Sequence, residues 1–181
     1  MKKLIVSLLF FSCGLLVSAQ KMITRTGEIK FEASMPAFEE VAAKNNSVSC
    51  ILDTSNGDLV ALALIKAFKF KVALMEEHFN ENYIESSKFP KATFKGKILN
   101  FDASKVTGTK TAFDFEGELN IHGKTQKIKS KINLASNAGK FNLSSVFVIK
   151  PQDFDIEIPS IVQSKIKDQV KVMLNFVLES K

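Results

Sequence analysis

The sequence has no tryptophan, one tyrosine, two histidines and two cysteines among its 181 residues. Each shortage excludes something. Cys13 falls in an apolar N-terminal run, which leaves Cys50 as the only cysteine of the remaining chain, so no internal disulfide is available. A domain of this size does not depend on one. Cys50 lies in Val48-Ser49-Cys50-Ile51-Leu52, where a buried, inert thiol is expected. His78 and His122 have no Cys or His partner at ligand spacing, whereas a catalytic zinc takes three protein ligands. They are read as a helix-surface and a turn histidine, with no metal and no cofactor. No Gly-x-Ser-x-Gly elbow, Cys-x-x-Cys pair or Gly-rich phosphate loop occurs. The formal charge of +6 comes from scattered lysines, and the aromatics do not interleave with basic clusters. That pattern describes a solvated surface and gives no reason to expect a nucleic-acid partner.

What is present begins with a targeting signal. Met1-Lys2-Lys3 is a positive n-region, Leu4 to Val17 is apolar, and Val17-Ser18-Ala19 places small residues before a cut. Residues 1–19 therefore read as a signal peptide cleaved near Ala19, and residues 20–181 as one secreted domain. The apolar run is short for a membrane span, so no stable membrane anchor is expected. Phe10-Phe11-Ser12-Cys13 faintly resembles a lipoprotein box, but the apolar run continues past Cys13, which is read as an ordinary residue of that run.

The rest of the chain alternates with period two, the mark of strands with one buried face. Ile29, Phe31 and Ala33 share a face, as do Val48, Cys50 and Leu52. Asn56-Gly57 is a favoured tight-hairpin dipeptide. Asp58 to Phe70 reads as one long strand, apolar on both faces in its first half and covered on both sides. Its faces are Val60, Leu62, Leu64, Lys66, Phe68, Phe70 and Leu59, Ala61, Ala63, Ile65, Ala67. The period then changes: Val72, Met75 and Phe79 recur at helical spacing, which predicts an amphipathic helix over Lys71 to Asn82.

Strands resume with Phe94, Gly96 and Ile98 on one face, then Phe113, Phe115, Gly117, Leu119 and Ile121. Turns are expected at His122-Gly123 and Asn137-Ala138-Gly139. Lys127 to Ala135 and Lys140 to Ile149 alternate in the same way. Ser160 with Gln163 suggests a capping box for a short helix near Ile161 to Lys167. A last strand aligns Val170, Val172, Leu174, Phe176 and Leu178. The expectation is an all-β protein: about eight antiparallel strands with one amphipathic helix and a short C-terminal helix. Closing the sheet removes its exposed edges, although a two-sheet sandwich would show a similar pattern.

Two polar clusters invite chemistry. Glu76, Glu77, Glu81 and Glu85 read as the wet face of a helix. Asn80-Glu81-Asn82-Tyr83 reads as a helix end tied to the sheet. The strongest positive signal is phenylalanine, with sixteen residues falling mainly on strand faces. Either the interior is solid or it is partly hollow and holds an apolar ligand; periodicity does not separate the two.

The stretch Phe68 to Ile98, FKFKVALMEEHFNENYIESSKFPKATFKGKI, and the later Leu119-Asn120-Ile121-His122-Gly123-Lys124-Thr125 resemble the YceI-like family of polyisoprenoid-binding secreted proteins. Phe68, Phe70, Phe89-Pro90, Phe94, Leu119, Ile121, Gly123 and Thr125 carry the likeness. The resemblance implies a lipocalin-like eight-stranded barrel whose bore holds a long isoprenoid such as a polyprenyl or quinone tail. It also implies export to a bacterial periplasm and dimers in some members. The family often opens with a Trp-x-x-Asp strand, which this chain lacks.

The leading expectation is thus a non-enzymatic carrier of an apolar lipid. Its lining would be drawn from Phe31, Leu64, Phe68, Phe70, Met75, Phe79, Phe94, Phe115, Phe147 and Phe176. A second reading is a solid-cored interaction or stress-response module with no cavity and an exposed apolar patch around Leu59 to Ile65. An enzyme would need polar residues converging inside the barrel, for which only Lys66 and His78 are candidates.

Overall fold

The computed structural model describes residues 21–35, 38–163 and 166–181. The strands are β1 (Lys21–Ser34), β2 (Ala42–Asp53), β3 (Asp58–Leu64), a two-residue β4 (Lys69–Phe70), β5 (Lys91–Ile98), β6 (Thr111–Ile121), β7 (Lys124–Asn137), β8 (Lys140–Ile149) and β9 (Ile166–Ser180). All pairings are antiparallel. The order runs β1-β9-β8-β7-β6-β5-β3-β2, and β1 pairs again with β2. That last pairing closes an eight-stranded barrel and leaves no free edge among these strands. The closure removes the sandwich alternative.

Tight turns follow from residues that accept positive φ. His122 and Gly123 sit at φ 53° and 75°, and Ala138 and Gly139 at 48° and 77°. Positive φ at both central positions is the mark of a type I′ hairpin, whose twist matches that of the strands.

Asp58 to Phe70 is not one strand. A 3₁₀ turn over Ile65–Ala67 interrupts it, and β4 resumes the pairing with β2 through Ala43 and Phe70. The turn consumes residues without alternating them, so the inward parity changes across it. Up to the first residue of the turn, Leu59, Ala63 and Ile65 are buried while Val60 and Leu64 are 44% and 46% exposed; after the turn Phe68 is buried. The outer face of β3 is therefore open, not covered as the apolar run suggested.

The turn is pinned by Asn45, which is fully buried on β2. Its Nδ2 donates to the Leu64 carbonyl at 3.0 Å, and its Oδ1 accepts from the Ser47 backbone N–H at 2.9 Å. A buried amide satisfied on both sides holds this geometry firmly, because leaving either side unpaired is costly.

The helical segment is Ala73–His78 (α1), continued by one π-helical turn over Phe79–Tyr83. The Ile84 N–H donates to the Phe79 carbonyl at 2.9 Å, closing that turn. A second short helix, Ser160–Gln163 (α2), precedes β9. The capping box expected there is not formed: Gln163 Nε2 donates to the Ile158 carbonyl at 3.0 Å instead. β9 already begins at Ile166, so the helix is shorter than Ile161 to Lys167 suggested.

Candidate functional site

The interior divides into two halves. At the end formed by the β2–β3 and β7–β8 turns, Leu52, Ile98, Leu134, Leu143 and Leu178 are almost wholly buried and fill the bore. Towards the other end the strands enclose a cavity of about 730 Å³, within the range of small-molecule sites. Its walls are overwhelmingly apolar. Part of its roof is α1 and the π turn, which contribute Leu74, Met75, His78, Phe79 and Tyr83. Phe38 and Val41 line it from one side, and Ile156, Ile158 and Val162 from the other.

Four phenylalanines cluster beneath the helix. Phe31 from β1, Phe68 and Phe70 from the interrupted strand, and Phe79 from the π turn lie with ring centroids 5.1–6.1 Å apart. Deeper in, Phe115 packs edge-on against Phe94 at 5.6 Å and against Phe147 at 6.4 Å. Tilted and edge-to-face arrangements of this kind are the favoured ones for aromatic pairs.

Glycines help to keep the space open. A Cβ on Gly96 or Gly117 would fall 2.5 Å or 2.7 Å from Cζ of Phe94, and one on Gly27 would fall 2.5 Å from Cδ1 of Phe176. Both rings thus lie against backbone with no side chain beneath them. They are recessed into the wall and occupy less of the lumen than they otherwise would.

Of the residues singled out from sequence, Phe31, Phe68, Phe70, Met75, Phe79, Phe94, Phe115, Phe147 and Phe176 all line this one cavity. Leu64 does not: it lies on the outer face, on the wrong side of the parity change at Ile65–Ala67. Lys66 is exposed and lies outside the cavity, so it forms no interior polar cluster with His78. The alternation signal reached several further aliphatic wall positions without assigning them to a lining, among them Ile29, Leu119, Ile132 and Leu174. Phe38 and Glu39 were missed because they lie in an irregular stretch between β1 and β2, which has no period to read.

The roof is tethered by few groups. Glu76 accepts from Lys69 Nζ at 2.5 Å and from the Phe70 N–H at 3.2 Å. The Lys69 ammonium holds the Glu76 carboxyl below its ordinary range. Asn80 Nδ2 donates to the Glu76 carbonyl at 2.8 Å, an interaction within the helix, and among the described residues no side-chain hydrogen bond ties Tyr83 to the sheet. Next to the roof, His122 Nδ1 lies 3.0 Å from the Phe154 carbonyl and Nε2 3.0 Å from Glu85 Oε2, with the Phe89 ring 4.5 Å away. His122 is thus a knot joining the β6–β7 turn, the segment after the π turn and the Pro151–Phe154 turn. Each contributes to the cavity nearby, through Ile121, Ile84 and Pro151.

Outside the barrel, Val60 and its cross-strand partner Ile51 are both 44% exposed and, with Leu64, make a modest apolar patch. The solid-core reading foresaw such a patch, but it also required an absent cavity, and the cavity is there. Among the described residues no cluster of three or more His, Cys, Asp or Glu is placed to hold a metal, and no helix is long and apolar enough to cross a membrane.

The sequence model of the YceI-like domain matches residues 19–178. Solved structures share the fold. A polyisoprenoid-binding domain from Saccharophagus degradans, described as implicated in plant cell wall breakdown, superposes with a TM-score of 0.75 at 16% identity, covering 89% of this chain and 98% of its own. BcnA from Burkholderia cenocepacia gives 0.68 at 15% identity, covering 84% and 95%. The YCEI protein of Campylobacter jejuni gives 0.64 at 17% identity, covering 81% and 88%. No curated protein matches the chain in sequence.

Proposed function

The chain belongs to the YceI-like domain family, and on that footing we propose that it is a non-enzymatic carrier of a long apolar lipid of the isoprenoid type, held in the upper half of the barrel. The observation that carries this reading is the cavity of about 730 Å³ with phenylalanine and aliphatic walls. Burying each CH₂ contributes roughly 0.8 kcal/mol, so a chain of a few isoprene units binds tightly without a polar contact. The polyisoprenoid binding named for the Saccharophagus relative supports the same chemistry.

The lining argues for an uncharged head group. Among the described residues its ionisable members are Glu39, His78 and Tyr83, with no lysine or arginine. A phosphorylated chain end would meet Glu39 with no cation among the described lining residues, whereas an alcohol or a quinone ring would find a tyrosine hydroxyl and an imidazole. The reading includes export of residues 20–181 as one domain, on the strength of the signal-peptide pattern in Met1–Ala19, which lies outside the described residues.

The test is binding by the delipidated protein. Prenyl alcohols and a polyprenyl quinone are expected to bind, with polyprenyl diphosphate weaker by tenfold or more. Phe68→Asp, checked by circular dichroism to be folded, is expected to abolish uptake. Failure of every prenyl lipid to bind the folded wild type would refute the carrier.

A further inference from the structure

A tube that is hollow at one end and solid at the other has a floor, and the floor here is made of identifiable side chains. The deepest cavity-lining residues are Val48, Leu59, Phe94, Phe115, Ile132 and Phe176. Strand register places the next layer directly behind them. Cys50 and Leu52 follow Val48 along β2, Ile98 follows Phe94 along β5, Leu134 follows Ile132 along β7, and Leu178 follows Phe176 along β9. None of these second-layer residues touches the cavity, and each is buried.

Three phenylalanines belong to this floor, but they do not play the same part. Phe94 and Phe176 lie against glycine backbone, so they are drawn to the wall. Phe115 is not among the side chains that lie nearest to any of the glycines described above. It is 3% exposed and bridges the rings of Phe94 and Phe147, which stand on β5 and β8 with β6 and β7 between them. It is the floor ring whose removal opens space towards the packed layer behind it.

We infer that Phe115 is the stop of a molecular ruler, which sets the maximum length of apolar chain that the barrel accepts. The inference rests on the carrier reading and adds the chain-length limit to it. A chain entering under α1 gains affinity with each carbon it buries, until its tip meets the Phe115 ring. Further carbons then stay outside, in water or against the lip formed by Phe38 and Leu74, which are 49% and 57% exposed.

Native mass spectrometry of the whole exported chain with an equimolar series of prenyl alcohols, from geraniol through farnesol and geranylgeraniol to solanesol, tests this. For the wild type, affinity is expected to rise about fourfold per added carbon within reach of the floor, and then to break off. Phe115→Ala is expected to move the break to a longer alcohol, and Phe115→Leu, which disturbs packing less, to move it part of the way. Phe38→Ala at the lip is expected to lower affinity across the series without moving the break. A break at the same length in wild type and both Phe115 variants overturns the ruler while leaving the carrier intact. A wild type that takes up none of the alcohols overturns the carrier and the ruler with it.

Discussion

Cys50 points inward from β2 between Val48 and Leu52, and all three are essentially inaccessible. Burial there disfavours the thiolate and pushes the Cys50 pKa from its ordinary value up to about 12. The thiol should therefore resist alkylation at pH 8 in the folded protein and react at the ordinary rate in urea; iodoacetamide labelling followed by mass spectrometry reads both. The linkage has a definite sign. Below pH 9 both folded and unfolded chains keep the proton, so the group contributes nothing to the pH dependence. Between 9 and 12 the unfolded chain loses the proton and the folded chain keeps it. Stability therefore falls as pH rises, with a limiting slope of about 1.4 kcal/mol per pH unit from this residue. Urea titrations of the wild type and Cys50→Ser from pH 8 to 10.5 isolate it. The burial of this thiol was legible in its apolar neighbours. The role of Asn45 was not, because its hydrogen-bond partner is the carbonyl of Leu64, nineteen residues away.

At the scale of elements, α1 is only lightly anchored to the rest. None of its residues is buried, and its polar attachment to β4 runs through Glu76 alone. A helix held this way opens locally at low cost, while the closed barrel beside it opens only with global unfolding. Glu76→Ala is expected to speed amide hydrogen exchange across residues 73–83 at least several-fold and to leave exchange in β6 to β9 unchanged. Exchange mass spectrometry checks it, and equal acceleration in the strands would show that the helix is not an independent unit. Most of the strand pattern and this helix could be read from periodicity, and the β6–β7 and β7–β8 turns from His122-Gly123 and Asn137-Ala138-Gly139, whereas β1 and β2 begin earlier than the alternation showed and the Asn56-Gly57 turn has positive φ at Gly57 alone. A further exception was Asp58 to Phe70, where Val60, Leu62 and Leu64 alternate in step with Phe68 and Phe70 as if on one strand. The 3₁₀ turn breaks that step, and its cause lies on another strand, so a local pattern puts Leu64 on the wrong side. A register error of one residue exchanges the faces entirely.

For the molecule as a whole, the two halves of the bore are expected to divide stability from binding. Leu134→Ala in the packed half should cost about 2–5 kcal/mol in urea unfolding and leave prenyl-alcohol affinity within about threefold. Met75→Ala on the underside of the roof should cost about 1 kcal/mol or less and weaken binding by tenfold or more. Denaturation and binding measured on the same two variants decide the matter; loss of binding in step with loss of stability would mean that the halves act as one. The composition of the interior was evident from sequence, since the inward faces are rich in phenylalanine throughout. Its hollowness was not, because a ring that fills the lumen and a ring laid against Gly96 and Gly117 leave the same trace in the alternation.

The packed half also bears on how such a chain changes over generations. Substitutions at the lip and roof, such as Phe38, Leu74 and Met75, fall on exposed or half-buried positions that contribute little to cohesion, so on the carrier reading they are screened mainly by cargo. Substitutions at Leu52, Ile98, Leu134, Leu143 and Leu178 are screened by survival of the barrel. One end of the tube is thus free to explore new cargoes while the other preserves the architecture, and a descendant could exchange its ligand without passing through an unfolded ancestor.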